Sequence, residues 1–323
     1  LERVYDVELT GRCGARVTYA DARGRVQSTP FEQNPQPADA IQLTLDTELQ
    51  EFIAGRLSEW EPKLKAKALS GPQRSSWQAV GTNRWSLRGA FVMLDIETGA
   101  VLALANFPSY DPDLLRSKSE EAEVYRDKIL RADEDLPKNY YWLKQAPLLN
   151  RAVSGRYAPG STFKILSAIA LLEDGVINPL STFDEGYGAK LIEGRTFKLR
   201  TGHAAGDNVD VITAIIRSSN GFFWHFSEEI PRTWPHEKYD QTLLPWSQAF
   251  GFTKRPGIDL PYQTSGNLPP ATKAGVHGGG ELALLSIGQG QNLASPLQVA
   301  RFMAAVANRG KLVVPYLVQG QEQ

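Results

Sequence analysis

The sequence predicts an α+β fold, with a mostly antiparallel central sheet between helical layers and a fragment of a small β-rich module ahead of it. Three observations point there. Residues 90–95 and 100–105 are two near-continuous apolar runs joined by a turn that ends in Gly99, as in a hairpin whose sheet is covered on both faces. From Ser161 to Leu172 the chain is apolar almost all round the helical wheel, the pattern of a central buried helix. Residues 1–40, by contrast, alternate polar and apolar groups over short stretches and are interrupted by prolines.

A length of 323 residues predicts about two domains, or one large domain with a smaller appendage. With 42% hydrophobic and 22% charged residues, the chain can bury a large core. The formal net charge of -1 supplies no global field for gathering phosphate backbones, which argues against nucleic acid as the main partner. Cys13 stands alone, so neither an intramolecular disulfide nor a multi-cysteine metal site is available, and His203, His225, His236 and His277 lack metal-ligand spacing. No apolar stretch reaches roughly eighteen residues, and residues 1–9 mix charged with apolar groups, unlike a signal peptide. The chain opens without Met and closes on a polar run, so one or both ends are expected to have been cut.

In chain order, residues 16–20 alternate like an exposed strand, Arg23-Gly24-Arg25 marks a turn, and residues 30–37, with three prolines, read as a linker. Residues 41–45 form a period-two strand that runs through Asp46, a candidate N-cap, into an amphipathic helix with Leu49, Phe52, Ile53 and Trp60 on one face. The polar stretch 61–86, which carries Trp77 and Trp85, reads as an insertion. Glu173-Asp174-Gly175 ends the buried helix. Ser295 and Pro296 start another helix, with Val299, Phe302, Met303 and Val306 on one face until Gly310.

A serine hydroxyl attacks an acyl carbon when a base takes its proton and donors hold the oxyanion. Ser161 and Lys164 lie three apart at a predicted helix start, on one face and within hydrogen-bond reach, where the helix dipole favours developing negative charge. Burial in an apolar helix disfavours a lysine's charged form and predicts a lowered pKa, suited to a base. A bare S-x-x-K is weak evidence, because a first-turn lysine can equally snorkel to water. Ser218-Ser219-Asn220 follows the apolar helical run 211–216. There Ser218 could relay a proton, and Asn220 could orient Lys164 and hold a substrate carbonyl; taken alone, the tripeptide reads better as a polar helix C-terminus. Phe222, Phe223 and Trp224 read as core, residues 278–280 as a flexible glycine loop, and no Ser-His-Asp arrangement can be assembled from the spacing.

The surroundings of both motifs resemble the transpeptidase domain of class B penicillin-binding proteins. The run from Leu149 to Lys164, containing Tyr157-Ala158-Pro159-Gly160-Ser161-Thr162-Phe163-Lys164, is similar to the family's nucleophile segment over its whole length. Similar too are Pro108-Ser109-Tyr110-Asp111-Pro112, Gly257-Ile258-Asp259-Leu260-Pro261, Ile287-Gly288-Gln289-Gly290 and Ser295-Pro296-Leu297-Gln298, all in the family's order. The resemblance divides the chain into residues 1–40, a fragment of a non-catalytic pedestal-like module with its linker, and 41–323, a transpeptidase domain. It implies Ser161 as the acylated nucleophile, Lys164 as its base, and Ser218 with Asn220 as the second side of the cleft, with the Ser161 N–H in the oxyanion hole.

The implied activity is D,D-transpeptidation of peptidoglycan stem peptides through an acyl-enzyme, with β-lactams acylating the same serine and no metal or organic cofactor. Implied partners are a glycan polymerase and elongation or division proteins, on a catalytic domain anchored to the bacterial cytoplasmic membrane and facing the periplasm or the outside. A β-lactamase or β-lactam sensor, or a catalytically inactive scaffold, remains an alternative. The family's third motif, Lys-Thr-Gly or Lys-Ser-Gly on a strand, is expected after Gly310, and nothing there matches it. Arg200-Thr201-Gly202 and Lys273-Ala274-Gly275 come too early. A polypeptide ending at Gln323 is therefore expected to be inactive, or nearly so, by itself.

Overall fold

A computed structural model describes residues 3–70, 88–131, 146–184, 189–192, 195–198, 207–233, 242–270 and 279–320. Trp77, Trp85, His203, His236, His277 and both early tripeptides, 200–202 and 273–275, lie outside the described residues.

A short helix α1 (Asp6–Thr10) leads into an antiparallel ribbon of β1 (Ala15–Ala20) and β2 (Val26–Gln33). β2 runs through part of the stretch expected to be a linker. Between the Val17↔Phe31 and Tyr19↔Ser28 pairs β2 carries one extra residue, so Pro30 sits at a bulge, where a missing N–H costs no ladder bond. Helix α2 (Thr47–Ser70) then continues past Pro62, so the first part of the expected insertion is helical. Its buried face is Ile53 with Leu49 and Leu57, against Phe91, Met93, Ala103 and Ala105. Phe52 and Trp60, expected on that face, are exposed because the sheet meets only the 49–53–57 stripe.

The predicted hairpin is β3 (Gly89–Leu94) paired with β4 (Val101–Phe107). α2 covers one face. The other packs on Ala152, Val153, Ile258, Leu297 and Leu317, so helices do flank the sheet. Residues 41–45, expected as a strand, make a single bridge, Leu43↔Val318. The Thr44 N–H reaches the Leu317 carbonyl (2.7 Å) and its hydroxyl the Val101 carbonyl (2.7 Å), after which the Asp46 side chain caps α2 and pulls the chain off the sheet. Helices α3 (Pro112–Arg116) and α4 (Glu120–Leu130) follow the hairpin.

The chain leading to Ser161 is tied down at each step. Asn106, near the end of β4, accepts the Ala152 N–H (2.9 Å) and donates to the Asn150 side chain (3.2 Å), fixing α5 (Arg151–Ser154). Tyr157 exchanges backbone hydrogen bonds with Ala294 (2.9 and 2.8 Å). The helix predicted from Ser161 starts as a 3₁₀ turn, Gly160–Phe163, and becomes α-helix only at Lys164, as α6 (Lys164–Glu173). Phe163, Leu166, Ala170 and Leu171 of this segment enter the main core beside Phe222, Phe223, Phe252, Leu285 and Phe302. Burying the Phe163 ring, edge-on to Phe252 at 5.2 Å, contributes about 2–3 kcal/mol toward holding the turn in place.

After the short hairpin β5 (Ala189–Ile192) and β6 (Arg195–Lys198) come α7 (Val211–Ile216), α8 (Asn220–Thr233) and α9 (Leu243–Ala249). α10 (Gly279–Ser286) begins inside the expected glycine loop. α11 (Pro296–Ala307) has a full capping box between Ser295 and Gln298. α11 is enclosed by two core clusters through Leu297 and Phe302, whereas Met303 and Val306, expected inside, are exposed. No helix among the described residues is long and apolar enough to cross a membrane.

Asp259 joins the two ends of the chain. Its carboxylate accepts the Leu317 and Val318 N–H groups (2.7 and 3.0 Å) and the Tyr5 hydroxyl (2.8 Å). Burial, then the bond to Asp259, pushes the Tyr5 phenol up to about 12. Asp259→Ala strands three donors, all on residues under 9% exposed, and is expected to destabilise the protein by about 3 kcal/mol in urea unfolding. Tyr5→Phe removes one bond and is expected to cost about 1 kcal/mol.

Candidate active site

Ser161, Lys164, Ser218 and Asn220, singled out from two separate motifs, meet in one hydrogen-bonded cluster. Lys164 Nζ donates to the Ser218 carbonyl (2.7 Å), the Ser218 hydroxyl (3.1 Å) and Asn220 Oδ1 (2.6 Å). The Ser218 hydroxyl in turn lies 2.9 Å from Ser161 Oγ. The expected contact between amine and nucleophile is thus bridged by Ser218. In a 3₁₀ turn residues three apart are eclipsed, so Ser161 and Lys164 share one face even though the α-helix begins later than predicted.

The burial of the two ends of this path is opposite. Lys164 is 2% exposed, with its amine 5.9 Å from the Phe223 ring centroid, whereas Ser161 and Ser218 are exposed. An open Ser161 hydroxyl is therefore joined through Ser218 to an amine that is almost wholly buried. Desolvation weighs against holding an ammonium at this depth, and three oxygen acceptors offset it.

Ser218 lies at a corner between two helices, α7 and α8. Asp210 caps α7 by accepting the Thr213 N–H (2.7 Å), and this bond holds its carboxyl below the usual range. At the other end the Ser218 N–H bonds to the Ile215 carbonyl (3.1 Å) and the Ser219 N–H to the Ala214 carbonyl (2.8 Å), the paired bonds of a Schellman cap. The residue at the cap's left-handed position is Ser218, with φ +53°, where glycine is the usual occupant. The chain turns sharply there, the buried Ser219 hydroxyl accepts the Phe222 N–H (3.0 Å), and α8 opens with Asn220 facing Lys164.

One contributor, Phe223, was not read as part of the site, and one segment expected beside the cleft, 287–290, lies against the nucleophile candidate's turn. Phe223, assigned to the core, is buried and also walls the lysine. The Gly288 carbonyl accepts the Gly160 N–H (2.8 Å), so the segment 287–290 touches the residue next to Ser161. A paired-glycine turn just after an apolar helix was the available signal. His225 stacks on Phe183 (4.6 Å). Among the described residues no group of His, Cys, Asp and Glu could hold a metal ion.

Residues 89–323 match the family model described as the penicillin binding protein transpeptidase domain. Peptidoglycan D,D-transpeptidase MrdA of Salmonella typhimurium is 30% identical over 337 residues, an alignment covering 100% of this chain and 45% of that protein. Peptidoglycan D,D-transpeptidase PbpA of Mycolicibacterium smegmatis is 32% identical over 252 residues, covering 76% of this chain and 46% of its own length. The chain thus spans less than half the length of these relatives. Among solved structures, the complex between penicillin-binding protein PBP2 and MreC from Helicobacter pylori superposes with a TM-score of 0.74 at 26% identity, covering 100% of this chain and 52% of that one. The α+β architecture read from the hairpin and the buried helix is the fold these proteins share, and the chain belongs to the penicillin-binding protein transpeptidase family, in its class B branch.

Proposed function

We propose that the protein is a serine D,D-transpeptidase that cross-links peptidoglycan stem peptides. The observation that carries this reading is the hydrogen-bonded path from the buried Lys164 amine through Ser218 to the exposed Ser161 hydroxyl.

Of the three oxygens around the amine, the Ser218 carbonyl and Asn220 Oδ1 can only accept, whereas the Ser218 hydroxyl can also donate. A neutral Lys164 uses its two N–H bonds on the acceptors and turns its lone pair toward Ser218. As Ser161 Oγ attacks the carbonyl between two terminal D-alanines, its proton passes to Ser218 Oγ while the Ser218 proton passes to Lys164. The Ser161 N–H, at the start of the helix, stabilises the oxyanion. Collapse breaks the peptide bond, Lys164 returns the proton through Ser218 to the departing D-alanine amine, and an ester on Ser161 remains. The amine of a neighbouring stem peptide then attacks the ester, losing a proton by the same route, to form the cross-link and restore Ser161. A β-lactam carbonyl enters the first half of this sequence.

The relatives' names and structures support partners of the elongation machinery. The Helicobacter pylori neighbour is a complex with MreC, and a second solved neighbour is described as coordinating polymerization and crosslinking in a peptidoglycan synthase complex. We assign this chain to an enzyme anchored at the bacterial cytoplasmic membrane, with its catalytic domain in the periplasm or outside the cell and a glycan polymerase as partner. Residues 1–40 are assigned to its non-catalytic module and 41–323 to the transpeptidase domain.

Intact-mass spectrometry of the full-length protein after benzylpenicillin tests the reading. One stable adduct is expected, persisting for hours and absent from Ser161→Ala. Rapid loss of the adduct with penicillin hydrolysis would identify a β-lactamase instead, and no adduct at all would leave a scaffold.

A further inference from the structure

Two left-handed glycines face each other behind the nucleophile, Gly160 (φ +58°) and Gly288 (φ +68°). Gly288 is the capping residue of α10: its N–H bonds to the Leu285 carbonyl (2.9 Å) and the Gln289 N–H to the Leu284 carbonyl (2.9 Å). That role alone accounts for a glycine. It does not account for what lies against Gly288. A Cβ built there would come within 2.3 Å of the Gly160 carbonyl oxygen, 2.8 Å of the Gly160 nitrogen and 2.7 Å of Phe163 Cβ. All three contacts fall on the 3₁₀ turn that carries Ser161, and two are backbone atoms without rotamers to give way. The third belongs to a ring that is 1% exposed. In the same place the Gly288 carbonyl holds the Gly160 N–H at 2.8 Å.

We propose that Gly288 is a positioning residue for acylation: the end of α10 is a mould against which the Gly160–Phe163 turn is pressed, and it sets where the Ser161 hydroxyl and N–H stand. This rests on the acyl-transfer reading above. Any side chain at 288 pushes the turn outward toward the cleft, moving Ser161 relative to Ser218, which is held separately by the cap of α7. A displacement of about 1 Å in a reacting group costs on the order of 100-fold in rate.

A matched pair separates this from simple backbone strain. Gly175 has φ +69° at the far end of α6, and a Cβ built there meets nothing within 4 Å. Gly175→Ala and Gly288→Ala therefore carry the same left-handed penalty, but only the second collides with the nucleophile turn. In the full-length protein, at a temperature where both variants are folded, Gly175→Ala is expected to acylate with benzylpenicillin at the wild-type rate. Gly288→Ala is expected to lose about 100-fold or more in the first-order acylation step, with the preceding non-covalent binding constant little changed. Acylation of Gly288→Ala within about threefold of Gly175→Ala overturns the proposal, as does a loss confined to binding. If Gly288→Ala does not fold, hydrogen exchange on the wild type decides: the Gly160 amide must be protected both free and acylated, and rapid exchange of it also overturns the proposal. A wild type that takes no penicillin contradicts the acyl-transfer reading, and the exchange measurement still tests the contact.

Discussion

Replacing Lys164 by Met in the full-length protein is expected to slow acylation by benzylpenicillin about 10²–10⁴-fold, the range contributed by a positioned general base. The fold should survive, because Met fills a similar volume and an amine at 2% exposure no longer has to be desolvated. That gain opposes the loss of the three hydrogen bonds, and the net change in stability is expected to stay within about 1 kcal/mol. Lys164→Arg sharpens the test. It keeps the donors and places a fixed positive charge there but cannot serve as a base, since a guanidinium does not deprotonate in proteins. Acylation should be as slow as in the Met variant. An Arg variant that retained the wild-type rate would show that the charge of Lys164, not its basicity, matters.

Ser218 offers the second large effect, because two demands on it conflict. Its backbone occupies the glycine position of a helix cap, while its hydroxyl stands between Lys164 and Ser161. Ser218→Gly relieves the left-handed strain and removes the relay. Ser218→Ala removes the relay and keeps the strain. Both are expected to acylate about 10²-fold or more slowly than the wild type. In urea unfolding the Gly variant is expected to be the more stable of the two by about 1 kcal/mol. This pattern would mark Ser218 as a residue whose strain persists because its side chain is needed. An Ala variant that acylates normally would contradict the relay.

The fold was legible where burial acts on whole segments. The hairpin at 89–107 and the helix through Leu166 and Leu171 read clearly, because apolar runs with no polar stripe fit only a covered sheet and a central helix. The pattern failed where a segment has two neighbours or one narrow contact. Met303 was expected inside because it shares a stripe with Phe302, yet α11 is gripped through Leu297 and Phe302 on different sides. Phe52 and Trp60 fell outside because β4 meets only the Leu49, Ile53 and Leu57 stripe.

The four polar residues were visible in the sequence because S-x-x-K and S-x-N are short and local, but the bridging position of Ser218 was not. Helical spacing placed Ser161 beside Lys164, whereas the hydroxyl between them comes from a cap 54 residues after Lys164, whose left-handed turn no side-chain pattern announces. The mould at Gly288 was hidden for the same reason. Glycines before and after Gln289 indicate a turn, but only coordinates tell that one of them lies against the Gly160 carbonyl.

The most direct test of the central claim is peptide mapping by mass spectrometry of the full-length protein after benzylpenicillin. A single penicilloyl group on Ser161, lost in Ser161→Ala and strongly slowed in Lys164→Met, is the predicted result. A penicilloyl group on any other residue, or an unmodified Ser161 in folded protein, would contradict it.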